Sequence, residues 1–438
     1  MRRLVALAVV FAAESAAAHE TVSGVAVTPK KTERGWTFAA EGEAVLVPHC
    51  NGRGRVLVDG VVKDAGSKGP LVVRLGDETK PHDVTVEVKV STYEKRIACS
   101  HAPRVGAIVD TRDGLQTIAF ASPHVAPSTG QGKAGEAVLF VPGGHDWTKP
   151  SALLVGVHPW NSDPWTYAAY EELIDEAGKK DVVLLMPSGL GNSLYTADAE
   201  DEVMRAIDAV SAQIRIDPQR VSIWGASMGG AGATTISFHR PDRFAFVASY
   251  FGDSKYDLTT YVAGVLGGEA GARKVNALDH LENARHLPVF LVHGEADHTS
   301  PIRQSTMLYD AMKKAGFAVE FERVPGMAHE GPLVVKYIRR VVDRAALAAA
   351  PLHPARVSFR SIRPADTSAY GVTLVRASAT RDAFVDVERK DDGVHVLAAE
   401  GVTEIRLAPG ALGAKGEEPI VPGPGPAPVP VPVRWMKP

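Results

Sequence analysis

The stretch "VSIWGASMGGAGATT", residues 221–235, sets Ser227 between glycines directly after a run of β-formers. Gly225-Ala226-Ser227-Met228-Gly229 fits the pattern G-x-S-x-G, and its context carries more weight than the pattern. Arg220 to Trp224 supplies a strand and Gly229 to Phe238 a helix, so the serine falls on a sharp strand-to-helix turn. Such a turn strains the backbone, and small residues two positions to either side avoid clashes and leave the hydroxyl exposed above a sheet. The bland alternative is a glycine-rich turn with no chemistry. A serine hydroxyl is weakly nucleophilic at neutral pH, so the reading requires a base, an orienting acid and oxyanion donors elsewhere in the chain.

Two further motifs meet that requirement. "LVHGEADHTSP" places Asp297 shortly after a strand over 288–292, and "VPGMAHEG" places His329 on a loop after a strand over 319–324. Both loops follow the carboxyl ends of parallel strands, the edge where sites of open α/β sheets assemble. Asp253 in "YFGDS", with Glu295 and His298, competes with Asp297; Asp253 is an alternative acid, a turn residue or a substrate contact. The oxyanion donors expected are the amide of Met228 and one from "LLVGVHPWNSDPW". Pro159 has no amide to give, which leaves Trp160 or Asn161. His158 is expected to fix this loop. Trp160, Trp165, Tyr167 and Tyr195 are candidates for lining a substrate pocket, with packing at the sheet edge as the alternative.

These motifs need elements to hold them. After residue 136 buried strands such as "SALLVGVHP" and "DVVLLMP" alternate with amphipathic helices such as "DEVMRAIDAVSAQI", which predicts a mostly parallel sheet with helices on both faces over 137–350. Within it, about 35 residues between "FGDS" and "LPVF" lack a strand and are expected to form a small cap over the site. Residues 19–120 read as short alternating strands with Gly and Pro turns, an N-terminal β-sandwich-like domain. Residues 121–136 read as a linker and 351–415 as a small C-terminal β-rich unit with a hairpin turn at Asp391-Asp392-Gly393. The Pro-rich tail, 416–438, is expected to be extended polyproline II or disordered.

Composition narrows the partners. With 48 Lys and Arg against 51 Asp and Glu, the net charge is −3 and both signs are dispersed. No basic stripe with interleaved aromatics is present, which argues against nucleic-acid binding and favours a small molecule or a neutral polymer. Residues 1–18 read as a secretory signal, with Arg2 and Arg3 before an apolar run of about ten residues, too short to span a bilayer. A secreted or periplasmic protein beginning at His19, without a membrane span, is expected. Cys50 and Cys99 are most simply a disulfide in that compartment. Zinc held by both cysteines with His49 and His101 is the alternative, although the spacing is unlike common zinc modules.

Taken together, "DEVMRAIDAVSAQIRIDPQRVSIWGASMGG" and "HGEADHTSP...GMAH" resemble the α/β-hydrolase superfamily. Within it the resemblance is to the branch holding prolyl-oligopeptidase-like hydrolases, polyhydroxybutyrate-depolymerase-like esterases and feruloyl esterases. It covers about residues 137 to 345 and implies Ser227 as nucleophile, His329 as base and Asp297 as orienting acid, with no metal and no organic cofactor. One departure is His158-Pro159, where the family usually has His-Gly. The flanking β units are too small for a propeller. The resemblance therefore implies hydrolysis of a small-molecule or polymeric ester, carbohydrate-linked esters included. A peptidase, or an inactive hydrolase fold used for binding, is the alternative.

Overall fold

Strands that are apolar on both faces must sit inside a sheet covered on both sides. In the computed structural model, which describes residues 18–90, 93–124, 134–416, 418–422 and 431–437, they do. The central sheet has eight strands: β1 (Gly114–Ala121), β2 (Ala134–Val141), β3 (Ser151–Val157), β4 (Val182–Pro187), β5 (Ile216–Ala226), β6 (Phe246–Tyr250), β7 (Val289–Gly294) and β8 (Val319–Val324). Their order is β1-β2-β4-β3-β5-β6-β7-β8. β2 runs antiparallel to both neighbours and every other pairing is parallel. β3, β4, β6 and β7 are buried at every position.

Helices cover the two faces. α1 (Glu171–Lys180) and, near the end of the domain, α5 (Gly331–Leu347) close one core through Leu173, Leu333, Ile338 and Val342. α2 (Ala197–Gln213), α3 (Met228–His239) and α4 (Arg303–Lys314) close the other through Val203, Ile207, Ile236 and Leu308. α3 is buried along its whole length, which is why its sequence is glycine, alanine and threonine where a surface helix carries charge.

The flanking units are β-rich. In the N-terminal one, a four-stranded and a five-stranded antiparallel sheet face a core of Phe38, Val45, Val47, Val56, Val84 and Val86. Cys50 and Cys99 are bonded to each other, which leaves no thiolates for the zinc alternative. In the C-terminal one, two four-stranded sheets enclose Val357, Phe359, Val385 and Ile405. Its hairpin turns at Asp391-Asp392, with Lys390 opposite Gly393.

Four expectations need correction or closer placement. β1 was read into the N-terminal β unit, but it pairs with β2 in the central sheet. Its alternating pattern is that of any half-buried strand, and the alternation does not say which sheet it joins. The segment read as a linker, 121–136, contributes Ala121 and Ala134 to Glu136 to that pair, and its middle lies outside the described residues. The Pro-rich tail supplies two strands, Ile420–Pro422 and Val433–Trp435, each at a sheet edge, where a missing proline amide costs no ladder bond. Ile420, Val431, Val433 and Trp435 pack on the C-terminal core. The residues read as a signal peptide lie, except Ala18, outside the described residues.

The C-terminal unit is tied to the central domain by a buried ionic cluster. Arg363 donates to Glu200 at 2.7 and 2.9 Å and to Asp366, while His239, at the end of α3, lies 2.7 Å from Glu200. Burial alone raises the pKa of Glu200, but the charges and hydrogen bonds of His239 and Arg363 outweigh it and hold the carboxyl well below the usual range. Among the described residues, no helix is long and apolar enough to cross a membrane.

The disulfide joins residues 49 positions apart. Chain-entropy arguments give such a cross-link about 4 kcal/mol, with native bonds measured at roughly 2–5. The double variant Cys50→Ser, Cys99→Ser is expected to lose about 2–4 kcal/mol in urea unfolding, with the first transition belonging to the N-terminal unit.

Candidate active site

β5 ends at Ala226 and α3 begins at Met228, so Ser227 alone makes the turn, with φ 56° and ψ −121°. A non-glycine residue there is strained by roughly 1–3 kcal/mol and must be held by its surroundings. Its amide donates to Tyr250 O of β6 at 2.9 Å, and its carbonyl accepts from Ala231 at 3.0 Å. A Cβ at position 229 would lie 1.8 Å from the Val157 carbonyl, and one at 225 would lie 2.4 Å from the Gly229 carbonyl. The two motif glycines are therefore required by the close approach of α3 to β3.

Three loops converge on this hydroxyl. His329 Nε2 lies 2.8 Å from Ser227 Oγ, and His329 Nδ1 lies 2.7 Å from Asp297 Oδ2. A carboxylate at Nδ1 favours a proton there and leaves Nε2 as the acceptor for the serine proton. Asp297 is well supplied with donors: the amides of Thr299 and Ser300 reach Oδ1 at 2.8 and 3.0 Å. Burial pushes the Asp297 pKa up, but His293, His329 and the Ser300 amide together hold it well below the usual carboxylate range.

The oxyanion side is built on the loop after β3. His158 is buried, with ring nitrogens 2.8 Å from the Pro159 and Ser188 carbonyls, and its carbonyl accepts from the Tyr195 hydroxyl at 3.2 Å. Met228 opens α3, so its amide is among the donors a helix start leaves unpaired. Of the two loop donors expected, the Asn161 amide is taken by Asn192 Oδ1 at 2.7 Å, with Asn192 Nδ2 returning to Asn161 Oδ1 at 2.8 Å. This pair fixes the loop and commits the Asn161 amide within the protein.

A cavity of about 750 Å³ opens over Ser227 and His329. One wall is the oxyanion loop, with Trp160 and Trp165; the facing wall comes from the N-terminal β unit, through His49, Arg53, Lys68 and Tyr93. His49 joins the two walls. Its Nε2 lies 3.1 Å from the Trp165 carbonyl, Nδ1 accepts from Gly69 at 3.3 Å, and its ring sits 4.8 Å from the Trp165 indole. Gly69, at φ 91°, has no room for a Cβ, which would meet that indole at 2.9 Å.

Several residues singled out for the substrate pocket lie elsewhere. Tyr167 is buried, donating to the Val157 carbonyl at 3.1 Å and accepting from the Ala226 amide at 2.9 Å. Tyr195 is equally buried, against Gly189 and Gly232. Both brace the nucleophile turn. Asp253 accepts from the Ser300 hydroxyl at 2.7 Å and so supports the acid loop, not the substrate. The stretch expected to cap the site forms helices Thr260–Leu266 and Glu269–Ala272 and a 3-10 segment, Ala277–His286. Asn283 in that segment donates to the carbonyls of Phe238 and Arg360, bracing α3 against the C-terminal unit. Among the described residues lining the cavity, none comes from it.

Sequence reasoning missed His293, buried at the end of β7. Its Nε2 lies 2.7 Å from the Ser300 carbonyl and 3.4 Å from Asp297 Oδ2, and its Nδ1 lies 2.8 Å from the Ser305 hydroxyl. The available signal was a histidine four residues before the acid, near the end of an apolar strand. The wall from residues 49–69 and 93–94 carried no sequence signal, because a contact between units is not written in either one.

Residues 191–347 match the prolyl oligopeptidase family. The uncharacterized protein YfhR of Escherichia coli K12 is 27% identical over 131 residues, 29% of this chain and 46% of its own length. The uncharacterized peptidase YuxL of Bacillus subtilis 168 is 27% identical over 158 residues, 31% of this chain and 22% of its own. The chain thus spans less than half the length of these relatives. The fluorophosphonate-binding serine hydrolase FphF of Staphylococcus aureus, a solved structure, superposes with a TM-score of 0.46 at 17% identity, covering 53% of this chain and 98% of that one. The strand order, the antiparallel second strand and the serine turn between β5 and α3 give the central domain the α/β-hydrolase fold.

The join between walls is sensitive to acid. Burial, reinforced by the charge of Arg53, lowers the His49 pKa from 6.5 to about 4 despite its bond to Trp165. Between those values the unfolded chain takes up a proton that the folded one refuses, so stability falls as pH drops through this window and is unaffected above it. The loss is expected to reach roughly 3 kcal/mol at most. Urea unfolding at pH 7 and pH 5 should show this slope in the wild type and a shallower one in His49→Gln.

Proposed function

We propose that this serine hydrolase of the α/β-hydrolase superfamily cleaves carboxylic esters through an acyl-enzyme. The observation that carries the reading is the unbroken chain of hydrogen bonds from Ser227 Oγ through His329 to Asp297. Ser227 Oγ attacks the carbonyl carbon as His329 Nε2 takes its proton. The oxyanion so formed is held by the amides of Met228 and Trp160, a contribution of about 3 kcal/mol per donor. When the tetrahedral intermediate collapses, His329 returns the proton to the departing alcohol oxygen. Water, activated by the same nitrogen, then releases the acid and restores the serine. Asp297 stays ionised throughout and stabilises the imidazolium.

Export to an oxidising compartment accords with the N-terminal sequence and with the Cys50–Cys99 bond. A second reading, cleavage of peptide bonds, is favoured by the match of residues 191–347 to the prolyl oligopeptidase family. Against it, the wall over the site comes from a small two-sheet unit, too small to be a propeller.

Hydrolysis of p-nitrophenyl acetate beside an amino-acyl p-nitroanilide separates these readings. Ester turnover should fall by about 10⁴-fold or more in Ser227→Ala, with the anilide cleaved at least a hundredfold less efficiently by the wild type. Comparable efficiency on the anilide makes the protein a peptidase. Folded protein that neither turns over the ester nor labels with a fluorophosphonate leaves the binding-protein reading.

A further inference from the structure

The segment following the N-terminal strand His82–Val88 leaves its own sheet and docks beside His329. The Tyr93 carbonyl accepts from the amide of Gly331, the first residue of α5 and two beyond His329, at 3.4 Å. Glu94 accepts from the Tyr170 hydroxyl at 3.0 Å, Lys95 pairs with Glu330, and Arg96 reaches Glu172 at 3.1 Å. At its other end the segment is tied back by the disulfide and by the Asn51 side chain, which bonds the Arg96 carbonyl at 3.0 Å and the Ala98 amide at 2.8 Å. Where Gly331 would carry a Cβ, Glu94 already stands 2.9 Å away. These contacts hold residues 93–96 against the central domain as a wall of the site.

Tyr93 is the member of that segment with an uncommitted polar end. It lines the cavity together with Ser227 and His329, and its ring is half-buried. Among the described residues, no hydrogen bond is made to its hydroxyl, whereas Tyr167, Tyr170 and Tyr195 each spend theirs on the protein. The side on which it stands gives it a role. In acyl transfer the histidine hands its proton to the leaving oxygen, so the alcohol portion of an ester lies on the His329 side and the oxyanion loop on the other. Tyr93 belongs to the histidine side through Gly331. Asn51, Ser67 and Lys68 line the same cavity; the Asn51 side chain is spent on Arg96 and Ala98, while Ser67, bonded to Asp64, and Lys68, paired with Asp163, keep further hydrogen-bonding capacity, and Trp165 brings an apolar face. Polar groups beside an indole suit an alcohol rich in hydroxyls with one apolar face.

We propose that Tyr93 determines leaving-group specificity, its hydroxyl bonding an oxygen of a polyhydroxylated, carbohydrate-like alcohol in the ester substrate. The assignment rests on the ester-hydrolase reading above. It makes the N-terminal β unit part of the substrate site.

Two acetate esters share an acyl group and differ in the alcohol: p-nitrophenyl acetate and 6-O-acetylglucose, whose sugar keeps its other hydroxyls free. For Tyr93→Phe, which keeps the ring, the ratio of kcat/KM for the sugar ester to that for the nitrophenyl ester is expected to fall about five- to tenfold, mainly through KM. Methyl glucoside should also inhibit hydrolysis of p-nitrophenyl acetate by the wild type competitively, a measurement that needs no variant. An unchanged ratio, equal losses on both esters, a wild type inactive on the sugar ester, or absent inhibition by the glucoside each overturns the assignment. A wild type that labels with a fluorophosphonate and hydrolyses p-nitrophenyl acetate while failing these tests overturns the role of Tyr93 alone. One that does neither overturns the ester-hydrolase reading as well.

Discussion

The left-handed backbone at Ser227 is the constraint on which the rest of the structure depends. An L-residue at φ 56° persists only when its neighbours leave it no alternative. Here the amide is anchored to β6, α3 starts at once on the far side, and the glycines at 225 and 229 let that helix press against the β3 backbone. Behind the turn the buried hydroxyl of Tyr167 joins the Val157 carbonyl to the Ala226 amide, so two adjacent strands are stapled at the place where the strain is stored. The hydroxyl of Ser227 is thereby fixed above the sheet edge before any substrate arrives.

Around that point the protein spends buried polar groups on orientation. Asp297 takes two backbone amides, one histidine that faces the serine and a second, His293, that is wholly enclosed. Asp253 reaches the same loop through Ser300. Each bond removes a rotamer the acid loop would otherwise sample, and the sum keeps the imidazole in one plane. The oxyanion loop is held by the same means, with the reciprocal pair of Asn161 and Asn192 doing for it what Ser300 does for the acid.

The flanking β units act at opposite ends of this arrangement. The C-terminal unit grips the far end of α3 through Glu200, His239 and Arg363, which braces the helix whose start carries the serine. The N-terminal unit stands over the site itself, clamped by His49 against Trp165 and by the segment after residue 92 against α5. The stretch between β6 and β7 looked like a cap in sequence because it lacked strands. It serves instead as a bracket between the central and C-terminal domains, since its apolar residues face α3 and α4.

How much of this was legible follows from the range of each interaction. Ser227, Asp297 and His329 stand in short patterns set by local backbone geometry, and the alternation of apolar strands with amphipathic helices declares a covered parallel sheet, so both could be read from the chain alone. The cysteine pair was legible because the chain has only two cysteines. Pairings between distant segments were not. An alternating strand such as 114–121 carries the same pattern in either sheet, and the apolar residues of the tail are too few to announce the edges they complete. Buried Tyr167 and Tyr195 are indistinguishable in sequence from tyrosines that face a ligand, because a hydroxyl accepts either partner. Sequence by itself determined which residue types and spacings could support such chemistry. Tertiary structure decided which of them face the cavity and placed Tyr93 of another unit beside His329, since that depends on where surfaces far apart in the chain come to rest.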